Sequence, residues 1–340
     1  MRPVHIAGFS QLRLGGGDRL DEAELVQRVT AGALAEAGLT AQEIGFTCSG
    51  SNDYVMGRPF SFTMALDGIG PWPPIRESHV EMDGAFALYE AYIRLQHGDV
   101  DAALVYAFGA SSLCDVGRVR TLELDPYHLA PLGVDPLSLA ALQARRLIDT
   151  GKGSEAAFAE VVARSRASAA GNPYAAASGE VGERALLAAP YVRDPLRAHD
   201  QAVGADGAAA IVLKVGGGGP RIRGIAHAID AHHPGERDLT LAPSARRALA
   251  AAGGGRGIQA AELHALFSSQ EGILVDALGL SPEVALSPSG GSLCAEIPMV
   301  SGLIRLGEAA ALVKAGAGAA LGHATSGPLL QHNLVCVLEA

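Results

Sequence analysis

The chain has 340 residues and a formal net charge of −10, with 49% hydrophobic and 18% charged residues. This composition is typical of a compact globular protein, long enough for two fused domains, and it excludes a disordered chain. The acidic balance argues against a nucleic-acid surface, which needs clustered Lys and Arg, and no apolar run reaches the ~18 residues of a membrane span. Because the N-terminus also lacks a secretory apolar region, we expect a cytoplasmic protein.

The first half of the chain alternates helix and strand patterns. In chain order we predict a helix at 23–36, a strand at 44–49, a helix at 85–95, a strand at 101–108 and a strand at 207–215. Helices at 136–150 and 155–171 interrupt this order, so residues 116–200 are predicted to form an inserted lobe. A lobe of this kind is a usual place for a substrate site.

The second half repeats the element order of the first, after a flexible G-G-G-G-P break at 216–220. Here we predict strands at 221–230, 263–268, 317–322 and 333–339, and helices at 244–252 and 299–311. Strands that alternate with helices imply a mainly parallel sheet covered on both faces. The sequence therefore predicts a duplicated α/β protein with α/β/α/β/α layers, divided into halves at 1–215 and 216–340.

The most informative segment is 78–88, S-H-V-E-M-D-G-A-F-A-L, where an extended stretch turns into a helix near Gly84. Backbone N–H groups at a helix N-terminus stabilise an anion, and thiol enzymes place a nucleophilic cysteine at such a bend. In this chain the residue at the bend is a carboxylate, Glu81.

This bend resembles the nucleophile elbow of the thiolase superfamily, C-A-S-G or C-A-T-G followed by G-x-x-A-L, with Glu81 at the cysteine position. Three further segments resemble the sterol-carrier-protein branch, also called lipid-transfer or acetyl-CoA acetyltransferase-like proteins. They are A-H-D-Q-A-V-G-A-D-G-A-A-A at 198–210, L-H-A-L-F-S-S-Q-E-G at 263–272, and S-P-S-G-G-S-L-C-A-E-I-P at 287–298. The resemblance implies a thiolase-like fold and a CoA thioester as substrate, with no bound cofactor.

The resemblance also locates the chemical positions, and most of them are changed. Ile297 replaces the base histidine of the family's G-H-P motif, and Glu296 replaces its glycine. The histidine of the third motif remains as His264, whereas the second cysteine, expected in the loop at 322–327, is absent. Acyl transfer through a covalent thioester is therefore not expected.

Three residues remain as candidates for proton transfer: Glu81, His264 and Glu296. Glu81 is either a general base for carbon–carbon cleavage or a carboxylate that caps its helix. Glu296 is either a second acid or base or another carboxylate at a helix N-terminus. His264 either polarises a carbonyl oxygen or is a structural histidine.

The cysteines, Cys48, Cys114, Cys294 and Cys336, form no C-x-x-C pair, so we infer no metal motif and expect buried thiols in a reducing compartment. Cys294 lies close to the fourth motif and is the one weighed as functional. The glycine clusters do not fit the dinucleotide fingerprint.

Two functions follow from these observations. The favoured one is a non-catalytic or co-catalytic thiolase-like subunit of a complex in acyl-CoA metabolism, the acyl groups being lipid or steroid side chains. The alternative is an aldolase-type lyase that cleaves a β-hydroxyacyl-CoA with Glu81 and His264. The apolar segment 60–70 is predicted to form a homodimer, or a heterodimer with a cysteine-bearing homologue. The resemblance adds a small zinc-ribbon and OB-fold protein as a further expected partner.

Overall fold

The computed structural model describes residues 1–15, 18, 20–70 and 76–340. The first half contains β1 (Val4–Arg13), α1 (Glu22–Ala37), β2 (Phe46–Gly50), α2 (Asp53–Met56), α3 (Leu66–Ile69), β3 (Glu77–Val80), α4 (Gly84–His97) and β4 (Ala102–Ala110). It continues with α5 (Val116–Leu122), α6 (Pro136–Asp149), α7 (Glu155–Ser168), α8 (Glu183–Ala188), β5 (Tyr191–Arg193), β6 (Leu196–Arg197) and β7 (Asp206–Val215).

The second half contains β8 (Arg221–Ile229), α9 (Pro243–Ala251), β9 (Ala260–Glu262), α10 (Ser268–Leu278), β10 (Ala285–Leu286), α11 (Gly291–Cys294), α12 (Ser301–Lys314), β11 (Ala319–Ser326) and β12 (His332–Glu339). Helices α5 to α8 lie between β4 and β7, within the segment predicted as an inserted lobe. The division of the chain at residue 215 stays a prediction. Among the described residues, no helix has both the length and the apolar character needed to span a bilayer.

Within the described ranges, ten strands form one hydrogen-bonded sheet in the order β10-β9-β11-β12-β8-β1-β7-β4-β2-β3. The order β3-β2-β4-β7-β1 in the first half is repeated as β10-β9-β11-β12-β8 in the second, so the predicted duplication is present. Among the described residues, the β1 strand of the first half and the β8 strand of the second are paired at one position, His5 with Arg221.

In each half the described strands run in one direction except for β7 or β12, which confirms a mainly parallel arrangement of strands. The pairs on either side of β7 and β12 are antiparallel. In the second half the reason is local: β11 and β12 are joined by a short connection at 327–331, and a short loop can join only antiparallel neighbours.

The predicted α/β/α/β/α layering is confirmed by three hydrophobic clusters. One cluster contains α4 and α12 together with strand residues of both halves, so these two helices form the central layer. A second lies between α1 and the first half of the sheet, and a third between α9, α10 and the second half. Strand β4 shows how one strand contributes to two of these clusters. Ala103, Val105 and Ala107 enter the central cluster, while the alternate residues face α1.

The strand predicted at 263–268 is wrong. Strand β9 ends at Glu262, and Leu263–Phe267 is a loop that leads into α10 at Ser268. Leu263, Ala265 and Phe267 are buried in the outer cluster of the second half. Their alternation mimics a strand, but burial in a loop produces the same apolar pattern.

Asp83 joins the N-termini of the two central helices. It is the N-cap of α4, where its Oδ1 accepts a hydrogen bond from the Ala85 backbone N–H at 2.8 Å. The same carboxylate accepts from the backbone N–H groups of Gly302 at 2.8 Å and Leu303 at 2.9 Å, in the first turn of α12. Asp83 is only 4% exposed.

The close approach of the two helices requires glycine on both sides. A Cβ atom on Gly84 would lie 2.7 Å from the Cβ of Ala107 and 2.9 Å from Cδ2 of Leu303. A Cβ atom on Gly302 would lie 2.4 Å from Oδ1 of Asp83. Larger residues would therefore separate the helices and break the Asp83 contacts.

We expect Asp83→Asn to lower the free energy of unfolding by about 2 kcal/mol, because one amide oxygen cannot accept all three N–H bonds and a buried donor loses its partner. Urea unfolding at equilibrium measures the loss. Asp21→Asn is the matched control: Asp21 caps α1 at an exposed site, where Asn caps as well as Asp. Equal losses in the two variants would contradict the bridging role of Asp83.

Candidate functional site

A cavity of about 290 Å³ opens where the two halves meet, and all three candidates from the sequence line it. Its polar lining includes Asn52, Glu81, Arg120, Glu123, His264 and Glu296. Its apolar lining includes Leu124, Leu139, Leu266, Leu329 and Leu330. A partly apolar cleft with a few converging polar groups is the usual form of a small-molecule site.

The deepest polar contact joins His264 and Glu296, which are 4% and 7% exposed. His264 Nε2 lies 3.3 Å from Oε1 of Glu296 and 3.2 Å from Oε2. The hydrogen bond is directed to Oε1, which leaves Oε2 buried without a hydrogen-bond partner among the described residues. An unpartnered buried carboxylate oxygen is an acceptor available to a ligand.

The backbone determines which nitrogen of His264 carries the proton. The Thr325 backbone N–H donates to Nδ1 of His264 at 3.3 Å, so Nδ1 is the acceptor in the neutral ring. The proton therefore lies on Nε2 and points to Glu296. Both residues are held by bonds of their own backbone N–H groups: Glu296 N donates to Val203 O at 2.7 Å, and His264 N donates to Nδ1 of His323 at 3.3 Å.

Glu296 is held as a carboxylate in spite of its burial. Desolvation acts to raise its pKa, but His264 (through its charge when protonated and through its hydrogen bond), the charge of Arg120 and a hydrogen bond from Ser301 lower the pKa below its usual value. Arg120 Nη2 lies 3.7 Å from Oε1 of Glu296. Because α12 begins only at Ser301, Glu296 is not a carboxylate of its first turn.

Glu81 lies on the open side of the cavity, with 45% of its side chain exposed. Its Oε1 accepts a hydrogen bond from the Asp53 backbone N–H, and its Oε2 lies 3.1 Å from His79 Nε2. It does not cap α4, because Asp83 has that role. The structure thus brings Glu81, His264 and Glu296 to one cavity, and their catalytic roles stay predictions.

Glu123 is the cavity carboxylate that the sequence analysis missed. Asn52 Nδ2 donates to its Oε1 at 3.2 Å. Although part of its surface is exposed, lost hydration raises the pKa of Glu123, and the charge of Glu81 adds to the rise, against Arg120 and Asn52. Glu123 directly follows α5 and belongs to none of the motifs, so only the prediction of a substrate site in the inserted lobe at 116–200 pointed to this part of the chain.

Arg120 is the second residue whose position the sequence did not reveal. By sequence alone, Arg118, Arg120, Arg145 and Arg146, which lie in or beside the inserted lobe, are equivalent as possible ligands of a CoA phosphate. The structure directs Arg120 to Glu296 and Arg145 to Asp194.

The cysteines are poorly suited to nucleophilic chemistry. Burial raises the pKa of Cys48 to about 12 and that of Cys294 to about 11, and it also raises the pKa of Cys336. For Cys114, lost hydration and the charge of Asp115 act in the same direction. Because the thiolate is the reactive form, these thiols are inert near neutral pH.

The sequence matches no protein-family model and no curated protein. It does match solved structures. A structure titled "Ltp2-ChsH2(DUF35) aldolase" superimposes with a TM-score of 0.79 at 18% identity, over 99% of this chain and 98% of that chain. A monomeric SCP2-thiolase-like protein type 1 from Mycobacterium smegmatis gives 0.76 at 20% identity, over 99% of this chain and 77% of that chain.

Human mitochondrial 3-ketoacyl-CoA thiolase in complex with CoA gives a TM-score of 0.80 at 13% identity, over 100% of this chain and 98% of that chain. These likenesses show that the chain has the thiolase fold. The fold implied by the resemblance of the motifs is confirmed.

We expect no thiolase activity, because no cysteine is held as a thiolate and Glu81 lies where the motif resemblance predicts the nucleophilic cysteine. Incubation with acetoacetyl-CoA and CoA should yield no acetyl-CoA, and intact-protein mass spectrometry should show no added acetyl group. Cys294→Ser should behave as the unmodified chain does. An acetyl group trapped on Cys294, lost in the serine variant, would contradict this expectation.

Proposed function

We propose that this chain is a carbon–carbon lyase of lipid or steroid side-chain metabolism, which cleaves a β-hydroxyacyl-CoA by a retro-aldol reaction. The observation that supports the proposal most strongly is the buried carboxylate of Glu296, a cavity-lining residue whose Oε2 has no hydrogen-bond partner among the described residues. A scaffold without activity does not require a buried carboxylate in this state. The geometry thus favours the second of the two functions considered from the sequence.

In the proposed reaction, Glu296 Oε2 accepts the proton of the substrate's β-hydroxyl as the bond between Cα and Cβ breaks. The electron pair of that bond moves to the thioester, which becomes an enolate, and Cβ becomes a ketone or aldehyde carbon. Glu123 then donates a proton to Cα. Transfer of the proton from Glu296 back to Glu123 through solvent restores the starting state.

The electrostatics of the cavity support this assignment of base and acid. The pKa of Glu296 is lowered and that of Glu123 is raised, so one carboxylate stays ionised while the other holds its proton longer. Environments that push the pKa values of two carboxyls apart are typical of acid and base pairs. The guanidinium of Arg120 lies at the same end of the cavity as Glu296, and its further N–H groups are proposed to stabilise the enolate oxygen.

The apolar part of the lining gives the acyl group a place to bind. Leu124, Leu139 and Leu329 form one buried hydrophobic cluster against the cavity. Burial of an aliphatic chain there contributes about 25 cal/mol per Å². We therefore propose a substrate with a branched or bulky aliphatic group beyond Cβ.

We expect Glu296→Gln to lower kcat/KM by about 100-fold or more, because general base catalysis of this kind typically contributes 10²–10⁴. The rate is measured by supplying a panel of β-hydroxyacyl-CoA thioesters and monitoring release of the shorter acyl-CoA by mass spectrometry. Glu81→Gln should cause a much smaller loss, since Glu81 is exposed and hydrogen-bonded by backbone. Glu283→Gln, an exposed carboxylate outside the cavity, is the control.

The pH profile separates the two carboxylates. As pH falls through the lowered pKa of Glu296, the base becomes protonated and kcat/KM falls; as pH rises through the raised pKa of Glu123, the acid is lost and kcat/KM falls again. Glu123→Gln should remove the alkaline limb of the pH profile.

Full activity of Glu296→Gln at unchanged melting temperature would overturn the lyase proposal.

A second candidate function is a co-catalytic subunit, and the replacement of the family's cysteine and base histidine favours it. The aldolase structure with the same fold carries a two-part title that includes a DUF35 component. We propose that this chain binds a small acyl-CoA-binding protein with a zinc ribbon and an OB-fold, or a cysteine-bearing thiolase homologue. Dimerisation through residues 60–70 belongs to the same proposal.

Co-expression with such proteins followed by affinity purification tests the assembly. A true partner should raise the melting temperature in proportion to the logarithm of its concentration, because it binds only the folded state. A cysteine-to-serine variant of the homologue should bind equally well, since assembly requires the surface and not the thiol. A protein that is active alone and whose melting temperature ignores every candidate would contradict the subunit function.

A further inference from the structure

Three side chains of metal-ligand type meet beside the cavity, in segments from both halves of the chain. Asp125 and His128 lie between α5 and α6, and His233 follows β8. One donor atom of each lies within 4.8 Å of the other two. His128 Nδ1 is 3.0 Å from Asp125 Oδ1, and the rings of His128 and His233 are 5.5 Å apart at an angle of 87°.

The backbone and an apolar cluster hold these residues in place. The backbone N–H groups of Tyr127 and His128 both donate to Oδ1 of Asp125. Leu124 and Leu129, on either side of Asp125, pack in one cluster with Leu239 from the segment that follows His233. The convergence of the three residues is therefore produced by packing across the two segments.

The donor types suit a metal ion. The ionised carboxylate and neutral imidazoles are the forms that bind metals. Two imidazoles and one carboxylate with open positions are a typical zinc ligand set, whereas Mg²⁺ and Ca²⁺ prefer oxygen ligands alone.

We propose that Asp125, His128 and His233 bind one Zn²⁺ ion at the rim of the cavity, with water completing its coordination. Ligand atoms of a tetrahedral zinc site lie about 3.3 Å apart, which the Asp125–His128 pair already approaches. His128 is 74% exposed, so its side chain can rotate to bring the three atoms together. The ion would join the segment after α5 to the segment after β8, next to Leu124 and His232, which line the cavity.

Cysteine spacing gave no metal motif because the proposed site contains no cysteine. Its histidines are separated by more than 100 positions in the sequence, so no short spacing pattern reveals them. The proposal is also independent of the lyase reaction, in which none of these residues takes part.

The test is to strip the full chain of metal with a chelator and to titrate it with Zn²⁺ in an isothermal titration calorimeter. We expect one ion per chain, and at least a 10-fold weaker affinity in His128→Ala and in His233→Ala. His97→Ala is the matched control: His97 is equally exposed and lies 3.5 Å from a carboxylate of Asp99, but no second imidazole joins the pair. Its affinity should equal that of the unmodified chain.

Co²⁺ provides a second readout, since its visible absorption depends on the number and type of ligands. Loss of the cobalt spectrum in both histidine variants, with melting temperatures of the metal-free proteins unchanged, would support the site. Absence of Zn²⁺ binding by the stripped chain would overturn the proposal. Binding that is unaffected by both substitutions would also overturn it, because the ion would then be held elsewhere.

Discussion

The arrangement of this molecule depends on one carboxylate, Asp83, which accepts backbone hydrogen bonds from the first turns of both central helices. Burial raises the pKa of Asp83, and the charge of His264 and the N–H groups of Ala85 and Gly302 oppose that rise. The two helix dipoles point their positive ends at the same carboxylate. Since α4 belongs to the first half and α12 to the second, this contact joins the two copies of the repeat at their centre.

The same contact controls the position of the cavity. Glu81 lies two residues before Asp83, and Glu296 lies five residues before the first residue of α12. A shift of one helix against the other would therefore change the distance between Glu81 and Glu296. Gly84 and Gly302 allow the approach, because a side chain on either would occupy space already filled by Leu303, Ala107 or Asp83.

The sequence predicted the fold well because the same order of helices and strands occurs in both halves of the chain. Repeated order of helices and strands gave the duplication and the layers, and four motifs in the right order gave the family resemblance. It could not distinguish the two carboxylates of V-E-M-D-G. Both precede the helix, and only the structure shows that Asp83 turns inward to α12 while Glu81 remains at the surface. Likewise, the alternating burial of Leu263, Ala265 and Phe267 looks the same in a loop as in a strand.

The sequence predicted residues of the candidate site only at positions that lie within one of the four motifs. His264 and Glu296 occupy motif positions, and the structure shows them in contact. Glu123 and Arg120 come from α5 and its end, where no motif exists, and their proximity to Glu296 results from how the segment between β4 and β7 folds back over the elbow. Nearby charges then shift the pKa values of the two carboxylates in opposite directions. Arg120 helps to lower the pKa of Glu296, and Glu81 helps to raise the pKa of Glu123. In this chain the thiolase fold thus presents a cavity lined by carboxylates whose pKa values are shifted in opposite directions. Such a cavity is suited to moving protons, and its inert thiols are not suited to carrying an acyl group.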